Sequence, residues 1–162
     1  MSATENETQQ MTARDADTRR QDAATEFVGR FAEVWAEPSP ERLNGLVHSD
    51  VEFIQPMQPT VKGHDEAADF WRHVFSMTPD LTGEVLGWAE RDGILFIELR
   101  MSGTLGGHPI EWVTVDRIRL EDGKVRQRIA YFNPLPLVRT IASRPRALQA
   151  WLKANVARLL PW

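Results

Sequence analysis

The sequence predicts an α+β domain in which helices pack on one face of a curved antiparallel sheet, with an extra helix at the C-terminus. Three observations predict it. Gly106-Gly107 and Asp122-Gly123 divide the stretch Ile94 to Asn133 into three apolar-rich runs. Such dipeptides supply the positive φ angles of two-residue hairpin turns, so the stretch reads as a three-stranded meander. Upstream, apolar residues recur at helical spacing, and the order helix, helix, strand, helix, then four strands leaves the helices together on one side of the sheet.

Residues 1–23 are Thr, Gln, Asp, Glu and Arg with almost no apolar content, and are expected to form a disordered tail. Helix 1 is expected from about Thr25, with Phe27, Phe31, Val34 and Trp35 on one face, and Pro38 ends it. Ser39 then caps a short helix with Pro40 at its first position and Leu43, Leu46 and Val47 on one side. Val51 to Ile54 reads as a strand, followed by the loop Gln55-Pro-Met-Gln-Pro59. A third helix from about Asp65 carries Phe70, Trp71, Val74 and Phe75 and closes at Pro79. Leu81 to Ala89 reads as a strand that Asp92-Gly93 turns into the meander. The folded domain is expected over 24–136. Residues 137–162 are expected to add an amphipathic helix bearing Leu148, Trp151, Leu152, Val156, Leu159, Leu160 and Trp162.

Composition narrows the classes of function. Apolar residues make up 42% of the chain and charged residues 26%, with no cysteine, which excludes disulfides, thiolate catalysis and cysteine-ligated metals. No apolar run approaches the roughly 18 residues that span a bilayer, and the N-terminus lacks the apolar core of a signal peptide; a cytoplasmic protein is expected. The net charge of −4 hides an asymmetry: Arg139 to Trp162 holds basic residues and no acidic ones. The main domain is therefore strongly acidic, which argues against nucleic acid as a partner.

The turn at Gly106-Gly107 pairs Leu105 with His108 and so fixes the register of the hairpin. Ile97, Leu99, Met101, Trp112, Thr114 and Asp116 then share one face, and Glu98, Arg100, Ser102, Glu111, Val113 and Val115 share the other. The first set faces the helices. Asp116 is thus a carboxylate on the inside of the sheet, to be either paired or held protonated.

The order of these pieces resembles the nuclear transport factor 2-like superfamily, particularly its SnoaL-like branch. The resemblance rests on Trp35 ending helix 1, on LVHSDVEF before the first strand, on Gly63 opening helix 3, and on the run from Asp116 to Pro134. It implies a cone, a strongly bent sheet wrapped round the N-terminal helices and enclosing an apolar pocket. It also implies a homodimer through the outer sheet face, where Val113 and Val115 stand. The superfamily contains isomerases, hydrolases, cyclases and non-catalytic modules, so the fold leaves function open.

Residue by residue, the known active sites of the superfamily do not carry over. Ketosteroid isomerases would need a tyrosine on helix 1, where Phe31 stands, and an aspartate base near Gln55; Asp116 alone matches. Limonene-epoxide hydrolases would need acidic and basic groups where Leu99, Met101 and Ala130 stand. The polyketide cyclase acid aligns with Asn133.

Asp116 is the candidate catalytic residue, as acid, base or hydrogen-bond donor. A structural pairing with Arg128 is the competing reading. Gln55, Leu99, Met101, Trp112, Thr114, Phe132 and Asn133 are the candidate substrate-binding residues. The turn at Asp122-Gly123 would carry Tyr131 inward, whereas the resemblance carries Ala130 and Phe132 inward, which requires a bulge. His48, His64, His73 and His108 show no metal-ligand spacing, and no metal or cofactor is expected. His64 and Asp65 are assigned to the cap of helix 3, and His73 is the one histidine placed to reach the cone. The C-terminal helix has three readings: a cover for the pocket, a contact with a second subunit, or a membrane-surface helix, of which packing within the protein or a dimer is preferred.

Three functions follow. The first is a cofactor-independent isomerase, cyclase or lyase acting on an apolar, polycyclic or polyketide-like molecule through Asp116. The second is a non-catalytic module that binds an apolar ligand. The third is a structural dimer whose cone is filled by its own side chains.

Overall fold

Among the described residues, the buried face of α1 (Ala3–Ala36) lies in its last part. Ala24, Phe27, Val28, Phe31 and Trp35 are buried there, at the spacing of one helical stripe. A computed structural model describes residues 3–159. In it the described part of the segment expected to be a disordered tail, from Ala3 onward, is instead a helical extension of α1. The expectation weighed burial alone. Local chemistry suffices to draw a helix: Glu, Gln, Arg, Ala and Met propagate it well, and Asp17 pairs with Arg20 one turn on.

Ser39 accepts a hydrogen bond from the Arg42 amide and opens α2 (Pro40–Asn44), as its capping sequence predicts. The helix stops before Leu46 and Val47, which belong to or precede β1 (Val47–Ile54), a strand longer than its apolar core suggested. A two-residue strand, β2 (Val61–Lys62), follows the proline loop and pairs with β1. Gly63, at φ 81°, turns the chain into α3 (His64–Met77). His64 does not cap that helix; its ring lies 3.1 Å from the Asn44 side-chain amide.

Strands β3 (Thr82–Arg91), β4 (Ile94–Leu105), β5 (His108–Glu121) and β6 (Lys124–Tyr131) complete a six-stranded bent sheet in the order β2-β1-β6-β5-β4-β3. All pairings are antiparallel except β1 with β6, which is parallel. The expected hairpin register holds: Leu105 faces His108, Leu99 faces Thr114 and Ile97 faces Asp116. The inner set is buried accordingly, Trp112 in part, while Val113, Phe96 and Tyr131 stand exposed on the outer face.

Between β5 and β6 the register shifts once. Leu120 faces Val125, but Arg119 faces Gln127, so Arg126 is an extra residue. Its guanidinium is anchored outside the sheet, by the Asp50 carbonyl and by Glu121. Beyond the bulge Ala130 is inward and 3% exposed, and Tyr131 is outward and 55% exposed.

The C-terminal segment forms two helices, α4 (Leu135–Ser143) and α5 (Pro145–Leu159), where one was expected. Arg144, in extended conformation, breaks them. The expected apolar stripe on α5 divides: Trp151 reaches the cavity described below, whereas Leu148 and Leu152 are exposed, and Ala147, outside that stripe, is fully buried. Leu160 and Trp162 lie outside the described residues.

The start of α5 rests on the β4–β5 turn. A Cβ on Gly106, at φ +58°, would lie 2.5 Å from the Arg146 carbonyl carbon and oxygen. Only glycine allows this backbone-to-backbone approach. Gly106→Ala is expected to cost about 1–2 kcal/mol from the left-handed conformation alone and to loosen α5. Amide exchange in α5 should rise while the centre of β4 stays protected; unchanged α5 exchange would contradict the packing role.

Candidate functional site

The concave face of the sheet, α3 and the C-terminal helices enclose a cavity of about 170 Å³. Apolar groups form most of its wall. Trp35, Phe70 and Trp71 come from the helices, Met101 and Trp112 from the sheet, and Leu137, Ile141 and Trp151 from α4 and α5. The C-terminal helices therefore cover the pocket, the first of the three readings for that segment. Gln55 and the three residues after it form part of the rim, with Met57 in a positive-φ conformation. For scale, an apolar cavity of about 150 Å³ holds benzene. The space suits a single ring with small substituents, and a polycyclic molecule would have to project through the mouth.

Among the described residues, Arg128 is the only charged side chain that lines this cavity. The bulge at Arg126 is what turns it inward, opposite Ile118 and beside Phe53 of β1. Its Nε donates to Asp116 Oδ2 at 2.6 Å, and its Nη1 donates to Gln55 Oε1 at 3.3 Å. The guanidinium carbon lies 5.7 Å from the Phe53 ring centre and 5.9 Å from that of Trp71, a range in which aromatic faces attract cations. Nη2 makes no hydrogen bond among the described residues. The guanidinium is thus clamped on one edge and at one corner.

Asp116 is 0% exposed and is absent from the cavity wall. Besides Arg128, its partner is the Thr114 hydroxyl, which donates to Oδ1 at 3.4 Å. The pairing with Arg128, the competing reading in the sequence, is the one the structure draws. Asp116 meets the cavity through two lining side chains that it holds, Arg128 and Thr114.

The other expected residues divide. Gln55, Met101, Trp112, Thr114 and Phe132 line the cavity, and Trp112 packs 6.3 Å from Phe132. Leu99 is fully buried and does not line it. Asn133 is exposed and accepts a hydrogen bond from the Leu135 amide at the start of α4. His73 is buried on α3 and does not reach the cavity. The charged residue missed as a pocket group is Arg128, which alternation along β6 places outward unless the bulge is located first.

A single grouping with metal-like spacing occurs among the described residues: His48, Glu121 and Asp122, at the surface. The Asp50 amide donates to His48 Nδ1, which leaves the proton of the neutral ring on Nε2. Arg126 also competes for Glu121. These features favour an ordinary surface cluster.

A bent sheet wrapped round helices over an internal pocket is the nuclear transport factor 2-like fold. Within it, the chain belongs to the SnoaL-like domain family, whose model matches residues 28–128. That match ends before Phe132 and the covering helices. No curated protein sequence matches the chain.

Solved structures share its fold at low identity. One is a protein from Jannaschia sp. CCS1 assigned as a SnoaL-like polyketide cyclase, 18% identical, covering 76% of this chain and 94% of its own, with a TM-score of 0.66. Another is a phenazine biosynthesis-related protein from Pseudomonas aeruginosa, 16% identical, covering 77% and 88%, with a TM-score of 0.67. A third, from Catenulispora acidiphila, has a ketosteroid isomerase-like fold and was solved with trimethylamine; it is 16% identical, covers 67% and 85%, and has a TM-score of 0.61. Among the described residues, no helix is long and apolar enough to cross a membrane.

Proposed function

We propose that this protein is a receptor for a compact apolar molecule, about one aromatic ring in size, that carries a hydrogen-bond-accepting oxygen. The oxygen sits against Arg128 and the ring fills the space between Trp71, Met101 and Trp112. One observation carries the reading: a single clamped guanidinium stands at the wall of an otherwise apolar cavity. Pockets that orient a small ligand combine these two elements, a large apolar surface and a few placed polar groups.

The same wall supports binding in preference to proton transfer. Among the described residues, the polar side chains that line it, Gln55, Gln58, Thr78, Thr114 and Arg128, include no carboxylate, histidine, lysine or tyrosine. General acid–base chemistry needs a group that titrates near the working pH within reach of the substrate. Asp116 meets neither the exposure nor the reach, being fully buried and outside the cavity wall.

Titration with acetophenone and with toluene, followed through the tryptophans that line the cavity, tests this reading. A hydrogen bond to a charged donor is worth about 1.5–3 kcal/mol net, so acetophenone is expected to bind at least about tenfold more tightly. Equal affinities, or no binding by either, would remove the proposed role of Arg128.

A further inference from the structure

We infer that the pocket selects neutral oxygen acceptors and rejects carboxylates, and that Asp116 is the residue that sets this choice. The inference rests on the receptor reading above and adds the charge of its ligand. An arginine in a pocket ordinarily signals an anionic partner. Here two features of the geometry point the other way.

The first is charge. Asp116 is fully buried against Arg128, and no other charged side chain among the described residues lines the cavity. The pair is neutral as a unit. A carboxylate entering the cavity would therefore lose its water and leave a net negative charge among tryptophan, methionine and leucine side chains. Burying an ion without a counter-charge is strongly unfavourable. A ketone, ester or amide oxygen brings no such charge and needs only a donor.

The second is the pattern of donors. Tight recognition of carboxylate by arginine uses two parallel N–H groups, in a fork. Nε is already given to Asp116 and Nη1 to Gln55. Nη2 remains, without a hydrogen-bond partner among the described residues. Nε is therefore lost to a side-on fork, and an end-on fork would have to share Nη1 with Gln55, whereas an N–H of Nη2 serves a single carbonyl oxygen without disturbing either bond. Asp116 is thus a positioning and charge-setting residue; it touches no ligand itself.

The test compares probes of one size and shape: acetophenone, benzamide and benzoate, with toluene as the oxygen-free reference. On the unaltered protein, acetophenone and benzamide are expected to bind at least about tenfold more tightly than benzoate. In Asp116→Asn the unit becomes cationic, and the order is expected to reverse, benzoate gaining at least about tenfold. Benzoate binding as tightly as benzamide to the unaltered protein would overturn the inference, a comparison that needs no variant to fold. So would a folded Asp116→Asn protein whose preference is unchanged. If toluene binds and benzoate is preferred, the cavity reading stands and the charge inference falls. If none of the four probes binds, the receptor reading fails and takes this inference with it.

Discussion

Arg128→Met is expected to destabilise the protein by about 3–5 kcal/mol. The change leaves the Asp116 carboxylate, 0% exposed, without its counter-charge. Its remaining partner is a hydroxyl at 3.4 Å, too long to replace the guanidinium. Asp116→Val is expected to cost a similar amount, because Arg128 would then be a cation among Phe53, Trp71 and the cavity wall. The two changes together should cost far less than either, within about 1–2 kcal/mol of the original protein, since an apolar pair often replaces a buried ion pair without penalty. Urea denaturation of the two single variants and the double variant gives the coupling directly. Single variants that lose less than about 1 kcal/mol would show the pair to be loosely held and solvated.

Trp71→Ala is expected to cost about 3–5 kcal/mol as well, for a different reason. The Trp71 ring lies 4.7 Å from Phe70, 5.5 Å from Phe53 and 5.8 Å from Trp35, centre to centre. It is also a partition. One side faces the ligand cavity, and the other faces a void of about 20 Å³ bounded by Phe31, Leu43 and Val125. Removing the indole should join the two spaces and admit a second ring. The variant, if it retains its fold, is expected to bind 2-acetonaphthone more tightly relative to acetophenone than the original protein does. An unchanged size preference would mean that the wall collapses into the gap.

The sequence made the architecture legible wherever a local signal decided it. Gly106-Gly107 set the β4–β5 register, and from that register alone the inner position of Asp116 followed. Ser39 and Pro40 announced α2, and the spacing of Phe27, Phe31 and Trp35 announced the buried face of α1. The cavity wall was half legible for the same reason, since Met101, Trp112 and Thr114 share the face of Asp116.

What escaped depends on contacts between distant segments. The parallel pairing of β1 with β6 joins strands that four other strands and a helix separate along the chain, and no spacing records it. The side-by-side placement of Arg128 and Phe53 comes from that pairing. Leu137, Ile141 and Trp151 reach the cavity only because Arg144 breaks the C-terminal segment and Gly106 receives the second helix. The length of α1 was misjudged because a lack of apolar residues was read as a lack of helix. Helix formation and burial are separate matters.

The bulge at Arg126 has a consequence for how such a pocket changes over generations. Arg126 has no partner on β5, so it can be lost without moving its neighbours: Gln127 would still face Arg119, and Arg128 would still face Ile118. What reverses the strand is closing the bulge at unchanged length, with Arg126 taking Arg119 as its partner. Every later residue would then slip by one, Arg128 would turn to solvent, and Asp116 would lose its counter-charge. A relative one residue shorter between Asp122 and Asn133 is therefore compatible with the same buried pair.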